Sequence, residues 1–117
     1  MVLERAKNTV TQGDNFDTEV SRGYSTEMRG DTLYISGDID LYGAPTFRHV
    51  GAEHVRQSPT PTIDLRGVEF LDSAGLAALL YIAKVARSCE HPLRVMAAGN
   101  PRRVLRITGI DRMLAME

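Results

Sequence analysis

The chain has 117 residues, 14 Lys and Arg against 15 Asp and Glu for a net charge of -1, and is 43% hydrophobic and 25% charged. That length and apolar content suit one domain with one core, and exclude both a two-domain machine and disorder over the whole chain. A charge this close to zero supplies no general attraction to nucleic acid or to an anionic lipid surface, so neither is expected as a partner.

Residues 1 to 20 are polar and without sustained periodicity, with Gly13, Asp14 and Asn15 as breakers, and are expected to form a flexible tail ahead of a domain over 21 to 117. Glu4, Arg5 and Lys7 interrupt any signal-peptide core, and the uncharged run Ser73 to Ala83 is about half of the roughly 20 apolar residues that span a bilayer. A cytoplasmic protein with no membrane segment is expected. Tyr24 to Met28 and Thr32 to Ser36 alternate apolar and polar residues around the turn Arg29-Gly30-Asp31, which predicts a hairpin. Pro45 then opens a helix to about Gln57. Pro59 and Pro61 break the chain before a short strand over Thr62 to Arg66, and Gly67 to Asp72 reads as a loop. From Ser73 the run SAGLAALLYIAKVARSC, apolar at Leu76, Leu79, Leu80, Ala83 and Ala86, predicts the strongest helix of the chain. Leu93 to Ala97 reads as a fourth strand, and Gly99-Asn100-Pro101 opens a helix that stops at Gly109. Strands alternating with helices imply parallel neighbours joined by right-handed crossovers. The expected fold is a small α/β sandwich with a mixed, mostly parallel sheet of four to five strands and about four helices.

Charge is uneven along this order. Residues 31 to 72 hold seven acids and three bases, and residues 73 to 117 seven bases and three acids. Two lobes facing different partners, or solvated surface with the signs intermixed in space, would both give that count.

Most site chemistry is missing from the sequence. Neither G-x-x-x-x-G-K-[ST] nor G-x-G-x-x-G occurs, so the usual phosphate cradles are absent. Cys89 is the only cysteine, and His49 and His54 do not share a helical face, so no disulfide, metal site or cofactor is expected. Cys89 and Arg94 are one residue too close for a C-x5-R phosphatase loop. Asp38, Asp40, Asp64, Glu69 and Asp72 have no histidine or lysine set beside them, and an enzyme is not expected.

One constellation stands out. Asp72-Ser73-Ala74-Gly75-Leu76 sits where a loop becomes the strongest helix, and free amides and the positive end of a helix dipole at Ser73 would favour a phosphate there. Asp and Ser are also common N-cap residues, so the pair could serve the backbone alone, with Ser73→Ala costing about 1 kcal/mol as a lost cap.

Three segments, SGDIDLYGAPTF, IDLRGVEFLDSAGLAALL and NPRRVLRITGIDRML, resemble the signature stretches of bacterial anti-sigma factor antagonists of the STAS-domain family, in order and spacing, over about residues 22 to 117. The resemblance implies that Ser73 is a phosphorylation site and that Asp38, Asp40, Asp72, Ser73, Ala74 and Gly75 bind the partner, with Asp40 close to the serine. It implies a partner switch. The unmodified protein would bind an anti-sigma factor that is also a GHKL-type serine kinase, freeing a sigma factor. Phosphorylation of Ser73 would end the complex and a PP2C-type phosphatase would reset it. Two departures from the family are visible: Ala74 stands where many relatives have a second hydroxyl, and Gly51 and His54 replace apolar positions, which predicts looser packing of the first helix. A STAS module that is never phosphorylated, acting as a scaffold or as a subunit of a lipid-transport complex, is the competing expectation, and a small ligand-binding domain is a third.

Overall fold

The computed structural model describes residues 20, 21 and 24 to 116, so the expected tail over 1 to 20 lies almost wholly outside the described residues. Among the described residues six strands form one sheet in the order of the chain: β1 (Val20–Ser21), β2 (Tyr24–Arg29), β3 (Thr32–Ile39), β4 (Thr62–Leu71), β5 (Arg94–Met96) and β6 (Ala115–Met116). The pairs β1–β2 and β2–β3 are antiparallel, and β3 to β6 run parallel. Helices α1 (Ala44–Gln57), α2 (Ser73–Ser88) and α3 (Gly99–Thr108) make the crossovers, and a 3-10 turn, Ile110–Met113, leads into β6. The expected mixed, mostly parallel sheet with about four helical segments is therefore present. β1 and β6, each two residues long, extend it at both edges.

Right-handed crossovers between strands that step along a sheet in one direction put successive helices on one face. Leu33, Ile35, Ile63, Leu65 and Val95 turn towards that face and are buried with Phe47, Val55, Leu79, Ile82 and Leu105 from the helices. Tyr34, Ser36 and Arg66 point the other way and are partly or fully open to water, and the buried Asp64 lies beside Arg66. Arg66 holds Asp64 there through a 2.8 Å ion pair, and this guanidinium keeps the Asp64 carboxyl below its ordinary range. A depressed carboxylate adds stability above its unfolded-state pKa, which is lost as pH falls through the folded value. Asp64→Asn is expected to flatten the decline of stability below about pH 4, measured as the urea midpoint against pH. An unchanged acid limb would leave the ion pair without a share in it.

β4 runs to Leu71, so the loop expected over Gly67 to Asp72 is strand as far as Leu71. Its pairing with β3 slips twice, between Tyr34 and Ser36 and between Gly37 and Asp38. Each irregularity shifts the inward and outward positions. The buried residues Leu65, Val68 and Leu71 consequently fall three apart, and the period of two that marks a strand is lost from the sequence.

α1 packs tightly, against expectation. A Cβ on Gly51 would lie 2.3 Å from Ile82 Cδ1, so the glycine is what lets α1 and α2 approach closely. His54 is buried and its Nε2–H donates to the Thr62 carbonyl at 3.2 Å, which ties α1 to the start of β4. At the end of α2, His91 N–H donates to Ala86 O and Glu90 N–H to Arg87 O, a Schellman closure with Glu90 at φ +61°. A side chain in that left-handed conformation costs about 1 to 2 kcal/mol, partly offset by the entropy glycine loses on folding. Glu90→Gly is expected to add about 0.5 to 1 kcal/mol to the unfolding free energy. A lower urea midpoint would contradict this.

Candidate functional site

Residues Asp38 to Asp40 and Leu71 to Gly75 meet at the carboxyl ends of the two neighbouring strands β3 and β4. Asp72 N–H donates to Ile39 O at 3.3 Å, joining the two ends directly. Asp72 is the N-cap of α2: its Oδ1 accepts the Gly75 amide at 3.0 Å, and its carbonyl accepts the Leu76 amide at 2.9 Å. Ser73 is therefore the first residue of the helix rather than its cap. Its side chain is exposed, and its hydroxyl has no hydrogen-bond partner among the described residues. The roughly 1 kcal/mol of capping energy belongs to Asp72, and Ser73→Ala should stay within about 0.5 kcal/mol of the parent.

Gly75 is buried, and a Cβ there would stand 2.8 Å from Ile39 O and 2.7 Å from Leu71 Cδ1. Its smallness seats the first turn of α2 directly on the end of β3. Asn100, at the start of α3, supports the same junction by accepting the Leu71 amide at 3.3 Å. Sequence reasoning did not single out Asn100, because an Asn in a Gly-Asn-Pro opening reads as a turn residue.

Asp40 shapes the loop beside Ser73. Its Oδ1 accepts the Tyr42 and Gly43 amides, both at 3.0 Å, and its carbonyl accepts the Ala44 amide at 2.8 Å. The turn presents Leu41 and Tyr42 to water, 65% and 68% exposed. Asp38 lies within β3, paired with Phe70 and half-buried. Ala74, half-buried, follows Ser73 on the helix. All six expected site residues thus share one end of the sheet, where Asp72 caps α2, Asp40 holds the loop that follows β3, and Asp38 lies across from the exposed Phe70.

A trough of about 430 Å3 runs from this end between α1 and α2. Ala74, Ala77 and Ala78 form its floor, and Leu41, Ala44 and Pro45 the opposite wall. Arg48 stacks over the Tyr81 ring, 4.0 Å from its centroid, and the pair lines the far end. Nothing in the sequence pairs Arg48 with Tyr81. A signal did exist for Leu41 and Tyr42, two apolar residues between the turn formers Asp40 and Gly43. Among the described residues no helix is long and apolar enough to cross a membrane.

The profile of the family described as Mlab, STAS domain matches residues 23 to 115. Among solved structures, an anti-sigma factor antagonist from Mycobacterium paratuberculosis is 29% identical, with a TM-score of 0.69 over 92% of this chain and 89% of that one. A putative anti-sigma factor antagonist from Thermotoga maritima is 18% identical, with a TM-score of 0.65 over 81% and 86% of the two chains. The anti-sigma factor antagonist SpoIIAA in its unphosphorylated form is 17% identical, with a TM-score of 0.55 over 76% and 96%. The last two show likeness of fold alone. No curated protein matches the chain in sequence.

Proposed function

The chain belongs to the STAS domain family, and from that membership and the geometry of Ser73 we propose that it is an anti-sigma factor antagonist switched by phosphorylation of that serine. The Mycobacterium paratuberculosis relative, matched over most of both chains, supports the general role. The unmodified protein binds an anti-sigma factor that is also a GHKL-type serine kinase, in the cytoplasm, and so releases a sigma factor. The kinase transfers the γ-phosphoryl group of ATP to Ser73 Oγ, and a PP2C-type phosphatase removes it. The protein itself catalyses no step. Residues 21 to 117 suffice for this activity, with 1 to 20 as an appended tail.

One observation carries the reading: Asp72 meets the helix's need for a cap, which leaves the neighbouring Ser73 hydroxyl exposed and uncommitted. A serine retained only as a cap would spend its oxygen on a backbone amide. Asp38, Asp40, Asp72, Ala74 and Gly75 complete the surface around it, Asp40 by holding Leu41 and Tyr42 outward and Gly75 by fixing the height of the helix end.

Incubation with the GHKL kinases of the source organism and ATP, read by intact mass, tests this. One phosphate is expected on the parent and none on Ser73→Ala, which keeps its fold and holds the kinase even with ATP present. Release of Ser73→Ala by kinase and ATP would remove Ser73 from the switch. A parent that binds but gains no mass would favour the scaffold reading.

A further inference from the structure

We propose that the trough between α1 and α2 seats an acidic segment of the partner, with an aliphatic side chain on the alanine floor and a carboxylate bound by Arg48. This rests on the partner-switching reading and adds to it the chemistry of the segment that is recognised. The α2 side of the trough is apolar and made of small side chains, because α2 presents Ala74, Ala77 and Ala78 there. The trough continues past Arg48 and Tyr81 into a hollow of about 250 Å3 that His49 and Arg56 also line. Glu53 is already paired with Arg56 at 3.1 Å, and Arg48 makes no ion pair or hydrogen bond among the described residues.

The Tyr81 ring fixes the guanidinium plane and leaves its N–H edge open. A stacked arginine has already lost much of its rotamer freedom, so a bidentate carboxylate costs less entropy to bind than it would on a free side chain. The charge on offer is positive and uncompensated, and the complement is an acid. A phosphate on Ser73 does not fill this role: Ser73 and Tyr81 are eight positions apart on α2, about 12 Å of helix rise. The recognised segment accordingly spans about 12 Å, with its aliphatic residue near Ser73 and its carboxylate at the far end. Arg48 is a binding residue here and Tyr81 a positioning residue.

Affinities for the kinase that binds the parent protein, measured by calorimetry on variants whose thermal midpoints match the parent's, test this. Arg48→Glu is expected to weaken binding by about 30-fold or more. Ala77→Leu, which raises the floor, should weaken it too. Tyr81→Leu should cost about 5 to 10-fold while Tyr81→Phe, which keeps the ring, binds like the parent. Arg103→Glu on α3 serves as the charge control and should bind nearly as the parent does. Arg48→Glu within twofold of the parent, or no weaker than Arg103→Glu, overturns the trough but leaves the Ser73 switch standing. Normal trough effects with no phosphate on Ser73 overturn the switch but keep the trough. If no GHKL kinase binds the parent, both fall.

Discussion

Phosphorylation of Ser73 is expected to weaken the complex with the anti-sigma factor about a thousandfold, roughly 4 kcal/mol, while the thermal midpoint of the free protein holds or rises. The two halves have one cause. At the first residue of α2 the phosphate meets the free amides and positive end of the helix dipole, which stabilise an anion by about 0.3 to 1 kcal/mol. The isolated domain therefore has no reason to unfold or rearrange. Inside an interface the same group brings about -1.5 to -2 charges to a surface that already carries Asp38, Asp40 and Asp72. Any partner surface fitted to those acids and to a neutral hydroxyl must then desolvate a dianion. Calorimetry on phosphorylated and unmodified protein, with thermal melts of each, measures both halves. A complex weakened less than tenfold, or a phosphorylated domain that melts several degrees lower, would contradict the mechanism.

Much of this site was legible in the sequence, for a local reason. Capping, helix propensity and the sharp turn at Gly109 are decided within a few residues, so α2, α3 and the position of Ser73 could be read directly. Asp72 rather than Ser73 as the cap could not, since either residue type fits the position and only the backbone path selects one. The latter half of β4 was hidden because its irregular pairing with β3 erases alternation, leaving Gly67 to Asp72 with the composition of a loop. Gly51 and His54 looked like weaknesses in α1 for a different reason. Their value lies across the fold, in the approach of Ile82 and the carbonyl of Thr62, and no local pattern encodes either. The trough is of the same kind: its floor and walls come from separate helices, and the Arg48–Tyr81 stack joins residues far apart in sequence.

Gly75→Ala is expected to cost about 2 kcal/mol, a fall of about 10 °C in the midpoint for a domain of this size, although alanine is the better helix former by about 1 kcal/mol. The new methyl would meet Ile39 O at 2.8 Å and Ile39 Cγ2 at 2.9 Å. A backbone carbonyl cannot rotate away, and this one also accepts the Asp72 amide, so relief requires α2 to lift from the end of β3 and stretch that bond. Gly51→Ala is the informative contrast. Its contacts are as close or closer, 2.3 Å to Cδ1 and 2.9 Å to Cγ1 of Ile82, but both atoms belong to one side chain, which can shift and change rotamer where a backbone carbonyl cannot. The smaller loss is therefore expected at the tighter contact, because the yielding atom decides the cost rather than the distance. Urea titrations of both variants settle the order, and a Gly75→Ala protein as stable as the parent would mean that the junction between β3 and α2 is loose, with Ser73 no longer held at a fixed height above the sheet.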